Sequence, residues 1–570
     1  MIPIIRISSL LMVVALFEAP GRSMQVCTLE RASIPYTGQE ANGYSQAPSL
    51  SFDGRFVSFA SLAYNLVPGD LNGFGDVFLF DRQTNTMELI SINSSGVQAN
   101  NHSGYNAISA DGRMVAFGSL ATNLDPRDTD TVSDIYVHDR LTKQTTLVSE
   151  RLGSGPSVQG CYGVSISADG RYVAFDCIDD NVVPGDNNHW IDVFVRDLLT
   201  QTTELVSVGP QGQQSDQESL WPSISGDGRF VSFVSAATNW FPVGPQWGSG
   251  QDSGVFIRDR QLSATVPVSI LSTGIMAPGI CQSPTISADG RYVAYKTNCR
   301  LLTPGVFNYG DLLRWDRTTG QTINVCYPSL GLRRQPSFFP VLSADGRYVA
   351  FETLATNFTV QRSRPPMVIW RDLETLATVC ANDDWQGGPA NNWANNAAIS
   401  GDGRVVAFVS KATDLVPGAS GAVYHVYVRA CDVASPATYC KPSKPAGGCV
   451  AGMTFQGSPS ATAGSGFQVH AQGLDSQRVG LLFYGTNGPA GKWLAEGYLC
   501  VKAPVVHAVV ALSQGTTGCD GSLSMDFNAW IATGADPTLV AGQDVCAQAW
   551  FRNSAGAGQL SDAVAFLIGP

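Results

Sequence analysis

The tripeptide Asp-Gly-Arg occurs seven times in the 570-residue chain, with its aspartates at Asp53, Asp111, Asp169, Asp227, Asp289, Asp345 and Asp402. Successive copies lie 58, 58, 58, 62, 56 and 57 residues apart. A fixed period of this length marks a repeat architecture, in which each unit buries its apolar surface only by stacking on its neighbours. Function is therefore to be sought at the level of the array.

Asp-Gly between two apolar runs signals a hairpin, because both central residues of a tight turn tolerate positive φ. The strand after the turn repeats its chemistry. Four residues beyond each Asp stands Val57, Val115, Val173, Val231, Val293, Val349 or Val406, and six beyond stands Phe59, Phe117, Phe175, Phe233, Tyr295, Phe351 or Phe408. Side chains alternate faces along a strand, and here neither face suits water. A third strand follows as "DVFLFDR", "DIYVHDR", "DVFVRDL" or "GVFIRDR", and a fourth as "MELIS", "TTLVS" or "TELVS", with Ser91, Ser149 and Ser207 each 20 residues before the next Asp. Each unit reads as a four-stranded antiparallel sheet covered on both sides.

Such sheets stack into an open solenoid or a closed β-propeller, and the chain ends decide between them. The seventh repeat stops after its third strand, "HVYVRAC", while the N-terminus offers an orphan fourth strand, "LERAS", whose Ser33 again precedes Asp53 by 20 residues. The head of the chain thus completes the last blade of a seven-bladed ring. Aligned on the repeat, Cys431 falls at the place of Arg82 and Cys27 at that of Asn85, on opposite sides of one hairpin turn. A Cys27–Cys431 disulfide is expected, removing loop entropy on the order of 4 to 5 kcal/mol from the unfolded chain.

The stretches "NLVPGDLNGFGDVFLFDRQTNTMELIS" and "ISADGRYVAFDC" resemble the TolB-type, WD-like propeller repeat of secreted and periplasmic bacterial proteins, over roughly residues 28–432. The resemblance implies the fold and little of the function, since propellers host many activities. The small N-terminal α/β domain of TolB has no counterpart here, so a role in the Tol system is not implied.

Net charge is −12 and no basic run is present, which argues against nucleic acid and anionic membranes as partners. Residues 1–23 read as a secretory signal, with Arg6 ahead of a short apolar stretch too brief to span a bilayer. The expected location is secreted or periplasmic, and thirteen cysteines then suggest disulfides. Cys161 and Cys177 flank one Asp-Gly hairpin, Cys281 and Cys299 flank another, and both pairs are expected to be staples. Cys326 and Cys380 lie in fourth strands of adjacent blades, and their pairing stays open.

The expected domains are the signal (residues 1–23), the propeller (24–432), a linker (433–448) and a C-terminal β-sandwich-like domain (449–570). The last contains short alternating runs such as "VGLLFYG" and "DVCAQAWFR" between Gly, Ser and Pro. It resembles a C-terminal module found on secreted bacterial proteins. Cys440–Cys449 and Cys500–Cys519 are the expected staples, leaving Cys546.

Two sets of residues carry candidate chemistry. The loop between second and third strands holds Asp70, Asn72 and Asp76 in the first repeat, Asp128, Asp130 and Asp134 in the second, and Asp186, Asn188 and Asp192 in the third. Oxygens at this spacing suit Ca²⁺, which takes six to eight oxygen ligands. They equally suit Asx-turns that satisfy loop amides. Six residues before the Asp stand Tyr105, Trp221 and Phe339, at the mouth of the inner strand. With the Gln- and Asn-rich links around them they would stack on sugars or peptides; the alternative is packing between blades. The six histidines show no metal-ligand spacing and no GxSxG elbow is present. The expected function is an exported binding or scaffold protein whose propeller face takes an extracellular or periplasmic protein or glycan. The rival is a propeller hydrolase or lyase acting on polysaccharide or peptide, which convergent carboxylates or a histidine cluster in the axial funnel would favour.

Overall fold

A computed structural model describes residues 26–153, 159–243, 252–299, 302, 310–326, 335–358, 365–385, 388–417, 419, 421, 423–432, 437–439, 452–457, 459–474, 476–486, 489–494, 497–501, 506–514, 521–540, 544–552 and 558–568. The repeats form seven four-stranded antiparallel sheets. Blade 1 runs Ser45–Leu50, Phe56–Ser61, Asp76–Asp81, Thr86–Leu89, and blades 2 to 6 repeat this order. Blade 7 takes three strands from the far end of the repeats, Ala394–Ile399, Val405–Ser410 and His425–Asp432, and its fourth, Val26–Arg31, from the start of the chain. Cys27 is bonded to Cys431 across a sequence separation of 404.

The ring closes. At the Asp-Gly end of the first strands, main-chain hydrogen bonds run from blade to blade: Phe52 N–H to Ala110 O, Ala110 to Ala168, Ala168 to Gly226, Gly226 to Ala288, Ala288 to Ala344 and Ala344 to Gly401, all 2.8–2.9 Å. Asp402 N–H returns to Phe52 O at 3.0 Å. The apolar face of each second strand packs on the third strand of the preceding blade. Val115 and Phe117 share a core with Val77 and Leu79, and Val57 and Phe59 share one with Val426 and Val428 of blade 7. These side chains are fully buried, so the interfaces between blades are the hydrophobic core.

The Asp-Gly turn is a hairpin of a particular kind. Ser51 O accepts Gly54 N–H at 3.0 Å, and of the two turn residues Gly54 alone has positive φ, at 67°. The Asp instead acts through its side chain: Asp53 Oδ1 accepts the Ser51 hydroxyl at 2.8 Å and Arg55 N–H at 2.9 Å. A Cβ at Gly112 would lie 2.1 Å from the Phe56 ring of the preceding blade, so glycine is required there twice over. The Arg reaches across to the end of the third strand. Arg55 grips Asp81 through two parallel hydrogen bonds of 2.9 and 2.7 Å, and the same fork joins Arg113–Asp139, Arg171–Asp197, Arg229–Asp259, Arg291–Asp316 and Arg347–Asp372.

One expected staple forms and its copy does not. Cys161 stands directly opposite Cys177 in register, and the two are bonded. Cys281 stands opposite Thr297, because two further residues separate it from Cys299. The expected Cys281–Cys299 disulfide is thus replaced by two buried thiols, with burial pushing Cys281 up to about 11. Cys326 and Cys380 are also buried thiols. Cys326 Sγ occupies the place of the serine hydroxyl of other blades and accepts Leu312 N–H at 3.2 Å.

The C-terminal region builds a five-stranded and a three-stranded antiparallel sheet, with a two-stranded hairpin. Phe467, Val469, Leu482, Tyr484, Phe527, Val545 and Ala547 form its core, drawn from both larger sheets and from a short helix, Phe527–Ala532. Asp526 caps that helix by accepting Ala529 N–H at 3.0 Å. The edge strand Ala437–Tyr439 comes from the segment read as a linker and pairs with Gly558–Leu567. The side chains of Cys440, Cys449, Cys500, Cys519 and Cys546 lie outside the described residues.

Candidate functional site

The first strands of successive blades touch round the ring, so they line the axis. Each breaks register with its second strand at the same place, between Gln46 and Ser49 in blade 1, Leu220 and Ser223 in blade 4, and Phe338 and Val341 in blade 6. Outside blade 3 the bulged residue adopts left-handed backbone: φ is 51° at Ala47, 39° at Tyr105, 56° at Trp221, 50° at Ser283, 48° at Phe339 and 50° at Asn396. For residues other than glycine this conformation costs roughly 1–2 kcal/mol each. A bulge also takes one side chain out of the alternation and re-aims it. Tyr105 is 65% exposed, Phe339 53% and Trp221 41%. The three aromatics are thus partly exposed to solvent on strained backbone.

The second strand adds groups that the sequence reading passed over. Seven residues beyond the Asp of each turn stand Ala60, Gly118, Asp176, Val234, Lys296, Glu352 and Val409: four small or apolar residues and three charges. Asp176 is buried and accepts Gly163 N–H and Trp221 N–H, each at 2.9 Å, fastening the bulges of blades 3 and 4. Burial raises its pKa above the usual carboxylate range. Glycine at 163 follows from this, since a Cβ there would lie 2.5 Å from Asp176 Oδ2. Glu352 accepts Asn396 N–H at 2.7 Å, and burial pushes it up to about 7. Lys296, lowered by burial, donates to Gln282 Oε1 at 3.1 Å and lies 4.5 Å over the Phe338 ring. The signal was a position that is apolar or small in four repeats and ionisable in three.

The candidate calcium loops sit between the second and third strands of blades 1 to 3. Asp76, Asp134 and Asp192 open the third strands and are fully buried. Burial raises them to about 6, 6 and 7. Each accepts the hydroxyl that ends its fourth strand, from Ser91, Ser149 (2.6 Å) and Ser207 (2.5 Å). Asn72 Nδ2 donates to Asp76 Oδ2 at 2.7 Å, and Asn188 Nδ2 to Asp192 Oδ2 at 2.6 Å. The Asx-turn chemistry is present, as Asn72 Oδ1 accepts Phe74 N–H at 3.0 Å and Asn188 Oδ1 accepts Trp190 N–H at 3.0 Å. In blade 2, Asp128, Asp130 and Asp134 bring carboxylate oxygens within 4.8 Å of one another.

No family model matches the chain, and no curated protein matches it. Solved structures similar to it include oligogalacturonate lyase from Vibrio parahaemolyticus, at 13% identity over 72% of this chain and 98% of that one, with a TM-score of 0.44. TolB from Acinetobacter baumannii is similar at 13% identity over 63% of this chain and 76% of that one, with a TM-score of 0.32. A putative TolB from Agrobacterium tumefaciens is similar at 15% identity over 50% and 82%, with a TM-score of 0.31. At these identities and scores no substrate, partner or compartment transfers to this chain.

Proposed function

We propose that this is an exported binding protein that holds an extracellular or periplasmic ligand at the axial face of the propeller, with a glycan favoured over a protein. The observation that carries this reading is the set of three exposed aromatic rings, Tyr105, Trp221 and Phe339, held on left-handed backbone around one axis. Aromatic faces stack on the apolar faces of sugar rings, and side-chain amides bond their hydroxyls; Gln46 and Asn396 are exposed on the first strands of blades 1 and 7. The ionisable groups of the wall support retention over turnover. Both oxygens of Asp176 are taken by main-chain N–H groups, and Glu352 is bound to Asn396. Export is supported by two disulfides, which persist in oxidising compartments. Among the described residues no helix is long and apolar enough to cross a membrane.

The test is a screen of the full chain against glycans and secreted proteins, followed by the Tyr105→Ala, Trp221→Ala and Phe339→Ala variants. Each variant is expected to weaken glycan binding roughly ten-fold or more while folding normally. Glycan binding that survives all three substitutions, selective capture of a protein alone, or turnover of a bound saccharide would each overturn the reading.

A further inference from the structure

The acidic loops of blades 1 to 3 share one backbone design and differ in how their charge is balanced. In blade 2 the protein supplies its own cation. Arg151, only 11% exposed, reaches Asp130 Oδ2 at 3.0 Å, Asp134 Oδ1 at 3.1 Å and Asp179 Oδ2 at 2.8 Å. The Tyr136 hydroxyl donates to Asp128 Oδ2 at 2.5 Å. The 58-residue period identifies the counterparts of these groups in the neighbouring blades. In place of Arg151 stand Asn93 in blade 1 and Gly209 in blade 3. In place of Tyr136 stand Phe78 and Phe194, and in place of Asp179 stand Ala121 and Ala237.

Asp128 and Asp134 keep their counterparts, Asn72 and Asn188 stand in place of Asp130, and both compensating groups are gone, although in blade 3 His189 Nδ1 pairs with Asp180 Oδ2. Asp70 is 4% exposed, and its Oδ1 is buried with no hydrogen-bond partner. Asp186 Oδ1 and Asp180 Oδ1 in blade 3 are buried in the same condition. On top of burial, the charge of Asp180 raises the pKa of Asp186, and the charges of Asp186 and Asp180 raise that of Asp192. A buried carboxylate oxygen without a partner is costly, and Asp70 and Asp186 stand at the place of Asp128, which in blade 2 is bonded by the Tyr136 hydroxyl and stabilised by the charge of the Arg151 guanidinium.

We propose that blades 1 and 3 each bind a calcium ion where blade 2 places the Arg151 guanidinium. The donors would be Asp70, Asn72 and Asp76 in blade 1, and Asp180, Asp186, Asn188 and Asp192 in blade 3. The main-chain oxygens of Ala99 and Ser215, which now accept the amide nitrogens of Asn72 and Asn188 at 3.1 Å, complete each set when the ion displaces that donor. An all-oxygen set with carboxylates selects a hard cation, and irregular loops that offer six or more oxygen atoms suit Ca²⁺ over the small octahedral Mg²⁺.

The experiment uses the full chain, stripped with chelator and titrated with CaCl₂ by calorimetry. A parallel titration with TbCl₃ is read by emission sensitised by Trp190, which adjoins Asn188. Two ions per chain are expected, with dissociation constants of about 10⁻⁴ to 10⁻³ M, as in extracellular modules. Asp70→Asn and Asp186→Asn should each remove one ion, and Asp186→Asn should also abolish the sensitised terbium signal. Absence of calcium uptake by the native chain at concentrations ten-fold above that range, or uptake unchanged in the double variant, overturns the proposal. Should the variants fail to fold, the titration of the native chain decides it alone.

Discussion

Blade 7 and the other six solve the same problem by different means. In blades 1 to 6 the turn arginine grips an aspartate at the end of the third strand, a clamp within a single continuous repeat. In blade 7 the residue in that register position is Ala430, opposite Val405, and the next residue is Cys431, bonded to Cys27. A blade assembled from both ends of the chain must hold a junction against fraying, and a covalent bond replaces the ionic fork. Positions that never vary in the repeat thus serve the blade, and departures from the repeat mark a task that only one part of the ring performs.

The sharpest way to break this comparison is to remove the junction. The double variant Cys27→Ser, Cys431→Ser should lose about 4 to 5 kcal/mol of stability to urea, whereas Cys161→Ser, Cys177→Ser, which opens a short loop inside one blade, should lose about 3 kcal/mol. Equal losses would remove the distinction between closing the ring and stapling a hairpin.

A second departure, Glu352, predicts a pH dependence. Its folded pKa is raised to about 7 from 4.5, chiefly by burial. The folded chain therefore holds this proton to higher pH than the unfolded chain. The destabilisation is absent below about pH 4.5, grows between 4.5 and 7, and is complete above 7. Glu352→Gln keeps an acceptor for Asn396 N–H and removes the charge. It should match the native chain at pH 4 and exceed it by on the order of 2 to 3 kcal/mol at pH 8, in denaturant titrations run at both values. A difference that is flat in pH would show that the carboxylate is not held protonated.

The fold was legible because its determinants are side chains at a fixed period. The turn glycines, the Val and Phe of the second strand, and the orphan fourth strand with Ser33 specified seven blades, their closure and the Cys27–Cys431 bond. The second-strand charges were equally visible, one position beyond the Phe where the repeat pattern was followed, as Asp176, Lys296 and Glu352 among Ala60, Gly118, Val234 and Val409. The bulge was not visible. It is a property of backbone pairing, and the residues that occupy it, Ala47, Tyr105, Gly163, Trp221, Ser283, Phe339 and Asn396, share no side-chain chemistry. Cys281 and Cys299 misled for a related reason. Flanking a hairpin is not the same as standing opposite across it, and two extra residues separate the second pair.

The most direct measurement replaces Trp221 with glycine and reads stability and ligand affinity side by side. Glycine adopts the 56° φ of this position without strain. Backbone strain kept for the sake of a binding surface predicts a chain as stable as the native one or more so, by up to about 1 kcal/mol, that binds its ligand roughly ten-fold more weakly or worse. A Trp221→Gly chain that loses stability and keeps its affinity would show instead that the indole is packing material and that the ligand sits elsewhere.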